Sequence, residues 1–226
     1  MFLGNRRDKI SMIDIKQARL SPSFESICAK MSLKNLIVLD QVHGSSGLLV
    51  EDTTFLQPYN LYRHQGDFLV TQLKDCGLVV LTADCVPIIL YDKVQQIIGI
   101  AHAGWRGCAQ GVVIRALQTM QQLGSVKKNI EVTFAASARS CCYEVGFEFP
   151  NNFLSYPYAS KAFIKRNNTL YFDKKLFLKL QLQEFGIQAN NIHNKSTECT
   201  ICHHDYCSFR RERDQADRQA TVVALR

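Results

Sequence analysis

Six short apolar runs fill the first half of this chain, and their length and spacing restrict its fold more than any other feature. Residues 36–39, 48–50, 68–70, 78–81, 86–91 and 97–101 are rich in Val, Ile and Leu. They have the length of buried strands and are too short for core helices. Helical periodicity enters later. Residues 110–123 place Val113, Leu117 and Met120 on one face and stop at Gly124. Residues 174–185 follow Asp173, an N-cap residue type, and stop at Gly186. Residues 130–135 read as a buried strand, and residues 219–225 return to strand character. Strands dominate and helices are few, which predicts an α+β fold with mixed sheets covered by helices. No repeat, low-complexity tract or Pro/Gly/Ser linker divides the sequence, so residues 1–226 are expected to form a single domain, long enough to bury a real core.

Composition narrows the classes. Hydrophobic residues make up 46% and charged residues 21%, as in ordinary globular proteins. No apolar run approaches the roughly 20 residues that span a bilayer. Arg6 and Arg7 near the N-terminus are not followed by the apolar stretch of a secretory signal. No membrane association and a cytoplasmic location are therefore expected. The nine cysteines are odd in number and irregularly spaced. In a reducing compartment that favours metal binding or catalysis over a disulfide framework. The net charge is +7, with a dense basic stretch at Arg210, Arg211 and Arg213 and a further Arg218. Aromatic residues do not alternate with these basic ones and no nucleic-acid motif appears, so an anionic small molecule is the expected partner rather than nucleic acid.

Three phrases stand at or just beyond the ends of apolar runs: Gln41-Val42-His43-Gly44, Thr82-Ala83-Asp84-Cys85-Val86-Pro87 and Ala101-His102-Ala103-Gly104-Trp105-Arg106-Gly107. Strand ends followed by small residues are where scaffolds present reactive side chains. Two imidazoles and one thiolate make a three-ligand metal site with one open position, the catalytic rather than the structural arrangement. Gly44, Gly104 and Gly107 leave room for backbone near a ligand. Asp84 and Arg106 are charged neighbours in apolar surroundings.

These phrases, with Gly66-Asp67, Ser140-Cys141-Cys142-Tyr143-Glu144-Val145-Gly146, Cys199-Thr200 and Ser208-Phe209-Arg210-Arg211, resemble the laccase-domain family. Its members carry the names polyphenol oxidase, peptidoglycan editing factor and purine nucleoside phosphorylase. The resemblance runs from about Gln41 to the C-terminus. It implies a layered α/β/β/α sandwich, with His43, Cys85 and His102 as metal ligands and catalytic trio. It also implies phosphorolysis of purine nucleosides (adenosine, inosine, guanosine, methylthioadenosine), with adenosine deamination alongside. Zinc is the expected cofactor and copper the alternative. Asp84, beside the thiolate, is the candidate for proton transfer or for orienting a ligand. Arg106 and Arg210 are the candidates for phosphate, since a planar guanidinium grips it in two places. For Arg210 and Arg211 the alternative is a solvated basic face.

The chain departs from the family pattern in three places. A longer N-terminal region is shortened to Phe2-Leu3-Gly4-Asn5-Arg6, a Gly-Pro pair before Tyr143 is replaced by Ala135-Ala136, and a Gly-Arg near the end reads Asp217-Arg218. Other functions compete. His₂Cys ligation suits a copper centre that oxidises phenols, especially with an axial Met. However, the chain has only His43, His64, His102, His193, His203 and His204, too few for four coppers. A Cys85–His102 pair suits metal-free hydrolysis of serine-containing cell-wall precursors, whereas a pure scaffold role explains none of the three phrases. Finally, Cys199-Thr200-Ile201-Cys202-His203 has the form of a c-type haem site, which normally follows export. A structural zinc on Cys199, Cys202, His203 or His204, and Cys207 is the alternative there, and free thiols in a loop the plainest reading.

Overall fold

In the computed structural model, which describes residues 1–8, 10, 22–52 and 64–226, side-chain alternation decides how the layers stack. Along the chain the elements are β1 (Phe2–Leu3), α1 (Pro22–Met31), β2 (Asn35–Val38), β3 (Gly47–Val50), β4 (Phe68–Thr71), β5 (Cys76–Thr82), β6 (Val86–Asp92) and β7 (Ile97–Ala103). They continue with α2 (Trp105–Ala109), α3 (Val112–Gln122), β8 (Ile130–Phe134), β9 (Glu144–Val145), β10 (Phe163–Arg166) and β11 (Thr169–Phe172). The last are α4 (Lys174–Phe185), β12 (Ile192–Asn194), α5 (Phe209–Glu212) and β13 (Gln219–Val223).

Two mixed sheets form the centre: a six-stranded one ordered β12-β8-β6-β7-β4-β3 and a four-stranded one ordered β1-β13-β5-β2. In β6, Val86, Ile88 and Leu90 point to one face while Ile89 points to the other; in β7, Ala101 and Ala103 oppose Ile98 and Ile100. The first set packs under α3 and α4, through Val113, Ala116, Leu117, Met120, Phe177, Leu178 and Leu182. The second set meets Leu78 and Val80 of β5 between the two sheets. The opposite face of β5, Val79 and Leu81, packs on Phe24, Ile27 and Met31 of α1. Period-two alternation thus gives a helix, two sheets and a helical layer, the expected α/β/β/α order. Both sheets are covered on both faces, which is why their strands read as nearly unbroken apolar runs. A small sheet, β10-β11-β9, flanks α4.

The helix predicted over 110–123 is α3, at 112–122, and a short helix outside the predicted range, α2, precedes it. Gly111, at φ +75°, lies between them. Its left-handed backbone favours glycine, so it ends α2 and restarts the chain at α3. The second predicted helix coincides with α4. The Asp173 carboxylate accepts from the Leu176 N–H at 3.0 Å and from the Ser140 hydroxyl at 3.1 Å, and Gly186 closes the helix at φ +106°. Replacing Asp173 with alanine should cost about 1 kcal/mol, read as a lower urea midpoint with unchanged m. An unchanged midpoint would show that the cap adds nothing.

Candidate active site

Hairpin geometry places two of the three expected ligands. The Asp92 carboxylate accepts from the Val94 and Gln95 N–H groups at 2.9 and 3.0 Å and so shapes the turn between β6 and β7. The resulting register pairs Val86 with Ala103 and Pro87 with His102. Cys85 and Gly104 therefore follow opposite each other at the open end of the hairpin. His102 shares the parity of Ile98 and Ile100, so it faces the second sheet. From that sheet comes His43, beyond the end of β2. The Gln41 side chain fixes this exit by bonding both the carbonyl and the N–H of Leu81, each at 2.8 Å.

The trio converges. The ligand atoms of His43, Cys85 and His102 lie within 4.8 Å of one another, and the two imidazoles meet edge to face with centroids 4.8 Å apart. Gly104 makes this possible: a Cβ there would lie 2.8 Å from the His43 ring and 3.2 Å from the Cys85 sulfur.

The sequence reading missed the group that organises the trio. Asp67, 1% exposed, accepts from the His43 N–H at 3.0 Å and the Gly44 N–H at 2.6 Å, and binds His102 Nδ1 at 2.7 Å. Its own carbonyl accepts from the His102 N–H at 2.7 Å. One carboxylate thus steadies His43 in a left-handed backbone, φ +61°, a conformation that costs an L-residue roughly 1–2 kcal/mol. It also bonds Nδ1 of His102, which turns Nε2 toward the trio as the atom that a metal would bind once its proton leaves. The Gly66-Asp67 phrase was visible in the sequence, but nothing in it revealed this contact across 35 residues.

Asp84 does a comparable job. It too has a left-handed backbone, φ +89°. Its carboxylate accepts from the Thr200 hydroxyl at 2.7 Å, the Ser208 hydroxyl at 3.0 Å and the Arg210 N–H at 2.6 Å. Both oxygens are engaged by the fold, and its carbonyl receives the Lys174 ammonium at 2.7 Å.

The trio opens into a cavity of about 450 Å³ that also holds Arg106, Arg210, Arg213, Arg218 and Lys174, with Trp105, Tyr143 and Phe209 as apolar walls. That volume lies within the roughly 300–1,000 Å³ of small-molecule pockets. The Arg106 guanidinium lies over Trp105, 4.5 Å from its centroid, and Arg210 and Lys174 lie over Tyr143 at 4.9 and 4.2 Å. Both arginines expected at the site therefore line it. Arg211 does not: its guanidinium is spent on the carbonyls of Thr200, Ile201 and Tyr206 at 2.6–2.8 Å, pinning that loop.

Burial would raise the Cys85 thiol, but the His102 charge, hydrogen bonds from His102 and His43, and Lys174 outweigh it and hold the thiol well below its ordinary range. Burial likewise disfavours an imidazolium at His102, yet the Cys85 thiolate and the Asp67 carboxylate push its pKa up to about 9. A thiol with a lowered pKa is a thiolate, and a nucleophile, at all pH values above it. In metal-free folded protein, iodoacetamide at neutral pH should therefore label Cys85. Cys76 and Cys108, pushed up by burial to about 11 and about 12, should stay unlabelled. Peptide mass spectrometry reads the contrast, and equal labelling of the three would refute it.

The donor set fits a metal. Two imidazoles and a thiolate form a three-ligand set, one imidazole is oriented by a buried carboxylate, and a glycine clears the space between them.

The family model described as "Multi-copper polyphenol oxidoreductase laccase" matches residues 13–226. The chain belongs to that family. Among similar family proteins, "Purine nucleoside phosphorylase" of Aquifex aeolicus is 37% identical over 161 residues, 71% of this chain and 72% of its own length. "Purine nucleoside phosphorylase" of Borreliella burgdorferi is 33% identical over 184 residues, 80% of this chain and 76% of its own. The family fold recurs in the crystal structure of Bacillus licheniformis hypothetical protein YfiH, with TM-score 0.80 and 26% identity over 90% of this chain and 80% of that one. It recurs also in YlmD from Geobacillus stearothermophilus, with TM-score 0.78 and 24% identity over 90% and 79%. No described helix is long and apolar enough to cross a membrane.

Proposed function

We propose that the chain, acting as one cytoplasmic domain, is a zinc-dependent purine nucleoside phosphorylase that also deaminates adenosine. The observation that carries this reading is the single cavity in which His43, Cys85 and His102 face five cationic side chains and three aromatic ones. The names of the similar proteins from Aquifex and Borreliella support it.

His43, Cys85 and His102 are the groups that would hold zinc, whose contribution when bound is Lewis-acid polarisation of an oxygen. Asp67 holds the Nδ1 proton of His102 throughout. Lys174, Arg106 and Arg210 supply donors that bind phosphate and stabilise its charge as it approaches C1′ of the ribose while the base departs. Trp105 and Phe209 offer faces on which a purine stacks and exclude water from one side of it. Asp84 orients rather than transfers a proton, because its carboxylate is taken up by Thr200, Ser208 and Arg210. Purified protein with zinc, adenosine and phosphate should release adenine and ribose 1-phosphate, with inosine as the deamination product, as resolved by liquid chromatography. Absence of turnover on adenosine, inosine, guanosine and methylthioadenosine would end this reading.

The ionisation of the trio favours a second reading. A lowered Cys85 thiol beside a raised His102 describes a thiolate–imidazolium pair able to attack an acyl group without metal. A covalent Cys85 adduct, seen by mass spectrometry after exposure to a serine-containing cell-wall precursor, would support it over the first. The copper reading gains less: the lining of the cavity includes no methionine, and among the described residues His43 and His102 alone of the histidines join a ligand-capable cluster.

A further inference from the structure

The fold brings together four thiols that the active site does not use. Cys141 and Cys142 lie on the segment before β9, and Cys199 and Cys202 on the segment after β12, yet their four sulfurs lie within 4.8 Å of one another. We propose that they form a second metal site, a tetrathiolate zinc centre that buttresses the wall of the active site.

The distances suit it. Four sulfurs about 2.3 Å from a tetrahedral zinc are about 3.8 Å apart, so the cluster closes with shifts below an ångström in side chains that are mostly at the surface. The backbone already sets the pairing. Ser137 bridges Cys199 in parallel register, and the Thr200 N–H donates to the Ser137 carbonyl at 3.2 Å. The Arg139 N–H donates to the Cys199 sulfur at 3.4 Å, the kind of bond that stabilises a metal-bound thiolate. Arg139, whose guanidinium reaches the Thr197 carbonyl, and Lys175, whose ammonium reaches the Ser196 carbonyl at 2.8 Å, place positive charge beside a centre carrying net negative charge. Cys141 and Cys202 are exposed, which gives the ion an entry path. Four soft thiolates in tetrahedral array select zinc over hard cations.

The ligand set differs from the local one suggested by the sequence. Cys207 is buried against Ala83 and Ala216, and His203 turns to Glu198 at 3.4 Å. Neither these two nor His204 joins a ligand-capable cluster among the described residues. Cys141 and Cys142, nearly 60 positions away, take their place. Such a centre would fix the 199–202 segment, and with it Thr200, whose hydroxyl holds Asp84 beside the Cys85 thiolate.

The test uses full-length protein carrying Cys85→Ser, which removes the thiolate of the first cluster, produced with zinc and purified under reducing conditions. Elemental analysis should find one zinc per chain. Adding Cys141→Ser and Cys202→Ser, both at exposed positions, should abolish it without changing the circular dichroism spectrum. X-ray absorption on the Cys85→Ser protein should show sulfur neighbours at about 2.3 Å, and it decides the matter even if the triple variant misfolds. Zinc retained in a folded triple variant, no zinc on reduced Cys85→Ser protein, or a zinc shell without sulfur would each overturn the proposal. So would disulfides linking these four cysteines in protein isolated without oxidant.

Discussion

Asp67→Asn should lower zinc affinity about 10- to 100-fold and nucleoside turnover with it, although the side chain touches neither metal nor substrate. An amide keeps the shape and loses one acceptor. Asp67 faces three donors: the His43 and Gly44 N–H groups and Nδ1 of His102. If the amide nitrogen faces Gly44, two donors oppose each other at a 2.6 Å contact. If it faces His102, Nδ1 must become the acceptor, and the proton moves to Nε2, the atom needed as a ligand. The first arrangement frays the left-handed turn at His43, and the second inverts the imidazole tautomer; either one damages the site. An unsatisfied buried donor costs about 1–3 kcal/mol, so the melting temperature should fall by several degrees, at roughly 2–4 °C per kcal/mol for a chain of this size. Zinc titration with a competing chromophore and a thermal melt report the two effects separately. Wild-type zinc affinity would remove Asp67 from its organising role.

The contrast between Asp67 and its neighbours shows what the sequence can reveal. The central strands were legible because burial on both faces makes β5, β6 and β7 apolar without interruption, so the runs at 78–81, 86–91 and 97–101 fall within the observed strands. The cap at Asp173 and the stop at Gly186 were legible because capping is local chemistry. Strands β9 to β12 were not, since they are two to four residues long and include polar residues such as Lys165, Arg166 and His193. The short helix α2 escaped because its five residues, Trp105–Ala109, are too few to show a helical period.

In the site, the trio could be proposed from its three phrases, each at the end of a strand. The supporting contacts could not, because they join residues far apart in sequence: Asp67 to His102, Asp84 to Thr200 and Ser208, Cys141 and Cys142 to Cys199 and Cys202. Local reading leaves Cys199 and Cys202 as loop thiols, with a zinc shared with the adjacent histidines as the alternative. Lys174 reads as the first residue of a helix, which it is, but the sequence does not show that it is 1% exposed and lines the cavity with its ammonium over the Tyr143 ring.

Lys174→Met should separate activity from stability. Among the described residues no carboxylate pairs with this ammonium; it has the Asp84 carbonyl at 2.7 Å and the Tyr143 ring at 4.2 Å. A buried, unpaired ammonium is expensive to keep out of water, and a side chain retained at that cost points to a task. Methionine fills nearly the same volume. It strips one donor from the Asp84 carbonyl, which still accepts from the Ala138 N–H at 3.0 Å, so no acceptor is left bare. The variant should melt at or above the wild-type temperature. If the ammonium steadies phosphate in the transition state, phosphorolysis should fall about 10²–10³-fold, the loss typical of removing one charge-stabilising donor from a water-excluded site. Zinc content should stay constant, which distinguishes this loss from that of Asp67→Asn. A rate profile over inorganic phosphate, run beside a thermal melt, tests both halves. Undiminished phosphorolysis would take Lys174 out of the reaction, and a melting temperature several degrees lower would mean that the ammonium holds the fold rather than the substrate.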